Sequence, residues 1–95
     1  MYRQETARLH AAARRSGFRI VIQPHAEKRM RERDISRLDV ERLLRAGAVV
    51  MIETEVGGDE KWRVAGRDTD GRRIEAVVRL IPPALAVLIT AIRTG

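Results

Sequence analysis

The chain has 95 residues, no cysteine and a formal net charge of +6, from 19 Lys and Arg against 13 Asp and Glu. This length suits one domain with a modest core, and the lack of cysteine excludes disulfides, thiolate metal sites and a cysteine nucleophile. The surplus of cations is mostly arginine, which favours a polyanionic partner such as RNA, DNA, the ribosome or an acidic protein, although an arginine-rich genome composition would produce the same surplus.

Two features of the sequence argue against a membrane or an exported protein. The longest apolar stretches, such as residues 84–89, are far shorter than the roughly 20 residues of a membrane-spanning helix. The first ten residues lack the apolar run of a signal peptide. We therefore expect a cytoplasmic protein with no membrane partner.

The first half of the chain predicts helices and one strand. A weak apolar stripe that includes Leu9 predicts an N-terminal helix over residues 2–16 that docks loosely or orders against a partner. Residues 18–22 read as a short strand. Pro24 suits the first turn of a second helix over residues 24–33.

A third helix is predicted after Asp34 interrupts the second. Ser36 is a favourable N-cap, and Asp39 three residues later completes a capping-box pattern. Gly47 ends this helix.

The second half of the chain has an extended period and turn residues between its segments. The predicted strands cover residues 48–54, 61–66, 73–80 and 84–92. The last strand is apolar on both faces, so we expect it inside the sheet. The order predicts one α+β domain over residues 1–95, with an antiparallel sheet of four to five strands and two or three helices packed on one face.

Cations alternate with apolar residues along two of the predicted strands. Lys61, Arg63 and Arg67 share one side of the first strand, and Arg73 and Arg79 share that side of the next. This face, turned away from the helices, is suited to binding a phosphate backbone of RNA. The alternative is the ordinary solvated side of an antiparallel sheet.

The second predicted helix carries a row of His25, Arg29 and Arg33 beside its core-facing stripe. Guanidinium groups at such positions are costly unless they are paired or line a cleft. One interpretation is structural, with Asp39, Glu53 and Glu75 as candidate ion-pair partners. The other is a phosphodiester site, in which the histidine moves a proton and the arginines stabilise charge on the phosphate.

Other kinds of site have little support in the sequence. His10 and His25 are the only histidines, and no carboxylates lie at ligand spacing around them, so we predict no metal site. No phosphate-binding loop or dinucleotide fingerprint occurs, and we predict no cofactor.

Three segments of the chain carry motifs in a fixed order. Residues 25–36 match the pattern HAxxRMxxRxIS, residues 63–72 match RVxGxxxDGR, and the strand at residues 87–92 matches a VITxI-like ending. In this order the motifs resemble the signature of a family of small bacterial proteins described as RelE/ParE-like. Family members usually have glycine where Asp34 stands, and aspartate also accepts turn conformations. The helix over residues 2–16 lies outside the pattern.

The resemblance implies a small α+β fold with helices against an antiparallel sheet, and a toxin of a toxin–antitoxin pair. RelE-like toxins cut mRNA at the ribosome without metal, whereas ParE-like toxins inhibit gyrase, so the fold alone does not fix the activity. The residues that carry over from the shared pattern are His25, Arg29 and Arg33. The cognate partner would be an antitoxin protein, expected to be acidic.

Two functional hypotheses follow. In the first, the protein is a metal-independent mRNA endoribonuclease that acts at or near the ribosome. The 2′-hydroxyl attacks the adjacent phosphate, His25 serves as base or acid, and Arg29, Arg33 and Arg73 bind the phosphate. In the second, the same basic surface serves a non-catalytic module that inhibits a protein such as gyrase, or binds nucleic acid in a phage or plasmid system.

Overall fold

Three helices and five strands follow one another in the predicted order, in a computed structural model that describes residues 2–94. The helices are α1 (Arg3–Ala13), α2 (Pro24–Glu32) and α3 (Arg37–Ala46). The strands are β1 (Arg19–Ile22), β2 (Ala48–Thr54), β3 (Glu60–Arg67), β4 (Arg73–Ile81) and β5 (Leu85–Arg93). The predicted α+β fold is therefore confirmed.

The five strands form one sheet in the order β1-β5-β4-β3-β2. Strands β2 to β5 make an antiparallel meander, as the short connections predict. The pair β1–β5 is parallel, so the sheet is mixed rather than wholly antiparallel. Three successive hairpins carry the chain from β2, at one edge, across the sheet to β5. Strand β5 lies beside β1 and runs in the same direction. Strand β5 lies inside the sheet, as its apolar sequence predicts.

One face of the sheet packs against the helices and forms the core with them. Its strand residues alternate along the sequence and include Trp62, Val64, Ala76, Val78 and Leu88, each at most 3% exposed. We call the other side, which bears the remaining alternate residues, the open face. No helix among residues 2–94 is long and apolar enough to cross a lipid bilayer.

Helix α1 is part of the core, contrary to the expectation of loose docking. Leu9 is fully buried, and Ala12 and Ala13 are nearly so. The Thr6 hydroxyl accepts a 3.0 Å hydrogen bond from the backbone N–H of Val49 on the edge strand β2. The stripe is weak because it consists mainly of small residues, which allow the helix to approach its neighbours closely. The helix ends at Ala13, three residues before the predicted end.

The start of α3 also holds a loop in place. The Ser36 hydroxyl accepts from the Asp39 N–H, and the Asp39 carboxylate accepts from the Ser36 N–H, so the predicted capping box is present. Asp39 also accepts a 2.8 Å hydrogen bond from the backbone N–H of Thr69 in the β3–β4 loop. Burial acts to raise the pKa of Asp39, but hydrogen bonds from Ser36 and Thr69 outweigh it and leave the pKa lowered. This carboxylate therefore joins the helix to the hairpin.

Candidate nucleic-acid interface

The five cations predicted on β3 and β4 share the open face. Cross-strand pairing sets Arg63 opposite Val77 and Arg67 opposite Arg73, while their sequence neighbours Val64 and Ile74 are buried on the helix side. Directly opposite residues in an antiparallel pair point to the same face. The remaining members of the set follow by alternation, and they are Lys61 and Arg79.

Three of these cations are paired with carboxylates. Glu55 contacts both Arg79, at 2.6 Å, and Lys61, at 3.4 Å. Arg63 donates a 2.9 Å hydrogen bond to Glu75. The three cations and the two carboxylates are all partly shielded from solvent, so each cation is balanced by a neighbouring carboxylate. The open face is therefore less cationic than its sequence alternation indicates.

Arg67 and Arg73 differ from the other three, because no carboxylate pairs with either of them within the described part of the chain. Arg67 donates a 2.9 Å hydrogen bond to the carbonyl of Gly71, and both arginines are exposed. Like charges directly opposite each other on neighbouring strands destabilise a sheet. An anion between the two guanidinium groups would remove that repulsion.

A surface cavity of about 400 Å³ lies at this arginine pair. Ala65 and Gly66 contribute small residues to its wall, and Glu75 and Thr94 contribute a carboxylate and a hydroxyl. Arg67 and Arg73 complete the polar lining. We call this cavity the arginine cavity. It combines two cations for a phosphate, one titratable carboxylate and one hydrogen-bonding hydroxyl.

Glu75 and Thr94 were not predicted as site residues. Glu75 lies two residues after Arg73 on β4, so the sequence places both on the open face. A single carboxylate among cations is, however, typical of an ordinary ion-pair partner. Thr94 follows the last strand and reaches the cavity because its N–H bonds to the carbonyl of Arg73. That contact joins chain segments 21 residues apart, which no local pattern reveals.

The predicted row on α2 does not assemble with the arginine cavity. Helix α2 packs on the helix side of the sheet, mainly against β5, while Arg73 is on the open face. His25 is exposed. Arg29 pairs with Glu32 at 2.9 Å, and that hydrogen bond lowers the pKa of Glu32. The row and Arg73 therefore lie on opposite faces.

Arg33 is bound to the backbone of the last strand. Its Nη1 donates a 2.7 Å hydrogen bond to the carbonyl of Ala91. Its observed partner is thus a backbone carbonyl and not one of the expected carboxylates, Asp39, Glu53 and Glu75. Arg33 anchors the end of α2 to β5.

Comparison with known proteins relates most of the chain to one family. Residues 22–93 match the family described as Domain of unknown function (DUF4258). The match includes the α2 row and the arginine cavity apart from Thr94, and it excludes α1. No curated protein and no solved structure matches the chain. Among residues 2–94, no group of three or more His, Cys, Asp or Glu side chains is arranged to hold a metal ion.

Proposed function

Because the chain belongs to the DUF4258 family, whose function is unknown, we propose a function from its own side chains and from the RelE/ParE-like resemblance. The protein is the toxin of a toxin–antitoxin pair, and it acts by binding RNA at or near the ribosome through the open face. Its antitoxin is an acidic protein that neutralises the same cationic surface.

The observation that carries this proposal is the cross-strand pair of Arg67 and Arg73 at the arginine cavity. Two exposed guanidinium groups face each other without a carboxylate among the described residues to separate them. A guanidinium presents a planar fork that binds phosphate oxygens in a bidentate manner. The cavity has room for a phosphate group, and the surrounding Ala65 and Gly66 allow the backbone of the ligand to approach.

The reaction that fits this cavity is metal-independent transfer of a phosphodiester. The ribose 2′-oxygen bonds to the adjacent phosphorus, and its proton passes to the Glu75 carboxylate. The bond from phosphorus to the 5′-oxygen breaks, and the leaving oxygen takes a proton from water. The products are a 2′,3′-cyclic phosphate and a 5′-hydroxyl end. Arg67 and Arg73 stabilise the added charge on the phosphate.

His25 is a second candidate for the proton transfer. Its imidazole is exposed, and an imidazole is the side chain that most often serves as a general base or acid. Its position on the helix side requires that RNA reach round the sheet from the arginine cavity, or that the reacting phosphate bind along α2. Glu75 needs neither condition, and for that reason we assign the proton transfer to Glu75.

One observation favours the non-catalytic alternative. In the α2 row, Arg29 pairs with Glu32 and Arg33 donates a hydrogen bond to the Ala91 carbonyl. Three of the open-face cations are paired with Glu55 and Glu75. A surface whose charges are largely balanced suits a module that binds a protein such as gyrase, or nucleic acid without cleaving it. RNA binding without cleavage, or no RNA binding at all, would lead to this alternative.

The test is the affinity of the protein for a labelled single-stranded RNA, measured by fluorescence anisotropy at several salt concentrations. Replacing Arg67 and Arg73 with alanine should weaken binding and reduce the salt dependence, by about 0.7 in the log–log slope for each lost phosphate contact to a single strand. The matched control replaces Lys28 and Arg31, two exposed cations on α2, and removes the same charge. Equal effects in the two double variants would contradict the proposed site.

A further inference from the structure

The cations of this protein are unevenly distributed along the chain. Residues 1–21 contain five arginines and one glutamate, which give four of the six net positive charges. These residues precede the stretch that matches the DUF4258 family. The stretch that resembles the toxins is thus close to neutral, and most of the excess charge lies on α1, the turn that follows it and the first residue of β1.

Part of this charge borders a cleft in the helical layer, on the side of the sheet opposite the open face. The cleft has a volume of about 270 Å³ and lies where the end of α1, the following turn and α3 meet. Its charged lining consists of Arg15, Arg37, Arg45 and a single carboxylate, Glu41. Phe18 contributes a half-buried aromatic ring. We call this cleft the helical cleft.

One of the three arginines is held by the protein itself. Arg37 donates a 3.0 Å hydrogen bond from Nη2 to the carbonyl of Ile20, and its Nε lies 3.6 Å from a Glu41 carboxylate oxygen. The contact with Ile20 joins α3 to β1 and fixes one wall of the helical cleft. The second contact of Arg37 pairs it with Glu41, the only carboxylate in the lining of the helical cleft.

Arg15 and Arg45 are left without a carboxylate partner among residues 2–94, and both are exposed. Both line the helical cleft together with Arg37. Three guanidinium groups around one carboxylate repel one another, and the repulsion is reduced when an anion binds among them.

We propose that the helical cleft binds a phosphate group of an RNA strand, at a second site separate from the arginine cavity. Arginine forks suit phosphate oxygens, and the Phe18 ring offers an apolar surface beside them on which a base or ribose can rest. The site combines Arg15 and Phe18, which precede the family match, with Arg37, Glu41 and Arg45, which lie within it. It stands whether or not the open face binds RNA.

An anionic membrane surface offers phosphate groups as well, but the composition of the helices argues against it. A helix that lies in a membrane interface needs large apolar side chains along one exposed side. Among the described residues, Leu38 is the one exposed large apolar side chain on α3, and α1 has none. Apart from Leu38, the exposed sides of these helices consist of arginine, alanine and other small or polar residues.

The test uses the full chain with Arg15 and Arg45 replaced by glutamine, which keeps the length of each stem for packing. The probe is a fluorescein-labelled single-stranded RNA, and the affinity is measured by anisotropy over a range of salt concentrations. The double variant should bind several-fold more weakly than wild type, and its log–log salt slope should be smaller by about 0.7 for the one lost phosphate contact. The control variant, Lys28→Gln with Arg31→Gln, removes the same charge from α2.

Two further measurements identify the site and the ligand. In amide NMR spectra of the wild type, RNA should shift the signals of Gly17, Phe18 and Arg45, and the Arg67→Ala/Arg73→Ala variant should show the same shifts. Vesicles containing an anionic phospholipid should not compete with RNA. The proposal is overturned if the glutamine variants at the helical cleft and on α2 bind equally, if RNA shifts only open-face signals, or if vesicles bind and RNA does not.

Discussion

Arg93 donates a 2.7 Å hydrogen bond from Nη1 to the buried carboxylate of Asp68. The same guanidinium donates to the carbonyl of Arg33 through Nε, at 3.0 Å, and to the carbonyl of Asp34 through Nη2, at 2.6 Å. One side chain at the end of β5 thus holds the α2–α3 turn and the β3–β4 hairpin together. Asp34 has a φ of 55°, and these contacts fix the turn in that left-handed conformation.

Asp68→Asn should lower the melting temperature more than Asp70→Asn. Asp68 also accepts hydrogen bonds from the N–H groups of Asp70 and Arg72, so it organises its own loop as well as binding Arg93. The uncharged amide leaves the Arg93 guanidinium without its counter-charge. Asp70 is exposed and has a longer contact with Arg72, 3.4 Å, so it is the matched control. Thermal unfolding followed by circular dichroism measures both, and equal losses would contradict the role of Asp68.

The same carboxylate should make stability depend on pH in the acid range. The Arg93 hydrogen bond is the main cause that lowers the pKa of Asp68, from 3.8 to about 2. The folded state therefore binds this proton less readily than the unfolded state, and the stabilisation is complete above about pH 4. It is lost as pH falls from about 4 towards 2. Urea unfolding at several pH values should show a smaller decline over this range for Asp68→Asn than for wild type.

Features that depend on neighbouring residues were predictable from the sequence. The capping box of Ser36 and Asp39 needs residues three apart, and the alternation on β3 and β4 needs residues two apart. These patterns fixed the element order, the helix face of the sheet and the position of the cations on the open face.

Features that depend on distant partners were not predictable. Glu55 neutralises Arg79, 24 residues away, and Arg33 bonds to a backbone carbonyl 58 residues away. Neither partner could be identified from the sequence, because each lies on another element. The burial of α1 was missed for a related reason, since Leu9 makes its contacts with residues that come much later in the chain.

Leu9→Ala should reduce the free energy of unfolding by about 2–5 kcal/mol, the usual cost of truncating a buried leucine. Leu9 is fully buried and belongs to the main core cluster. Gln4→Ala, at an exposed position of the same helix, is the control and should change stability little. Deletion of residues 1–16 should unfold the domain or destabilise it further. Chemical denaturation measures all three, and a stable deletion variant would show that the family-matched part folds without α1.

Gly66→Ala should be destabilising by about 1–3 kcal/mol, the usual cost of overpacking a core. A Cβ at this position would come within 2.7 Å of the Leu43 side chain on α3, and 3.4 Å from the Cα of Gly47. Leu43→Ala should itself cost about 2–5 kcal/mol, but Gly66→Ala combined with Leu43→Ala should lose less than the sum of the two single losses, because Leu43→Ala removes the atom that the new Cβ meets. Gly71→Ala tests a different cause, since that glycine has a φ of 83° and open space around it. Unfolding curves that show no coupling between positions 43 and 66 would contradict the packing explanation.

The variants Glu75→Gln and His25→Gln show which of the two candidate residues transfers the proton. If Glu75 accepts the proton of the 2′-hydroxyl, Glu75→Gln should reduce RNA cleavage by about 10²–10⁴-fold while the affinity for RNA stays close to that of wild type. His25→Gln should then leave the cleavage rate unchanged. Glu53→Gln is the control for charge, because Glu53 lies opposite Lys61 on the same open face but outside the arginine cavity.

Each of these variants must first melt like wild type, since Glu75 also pairs with Arg63 and the amide keeps only part of that contact. The cleavage assay uses the bound RNA in single turnover, and the product ends are identified as 2′,3′-cyclic phosphate and 5′-hydroxyl. A large loss in His25→Gln with none in Glu75→Gln would move the reacting phosphate to α2 and leave the arginine cavity as a binding site. Cleavage by neither the wild type nor the variants, with RNA still bound, would favour the non-catalytic module and retain the open face as its binding surface.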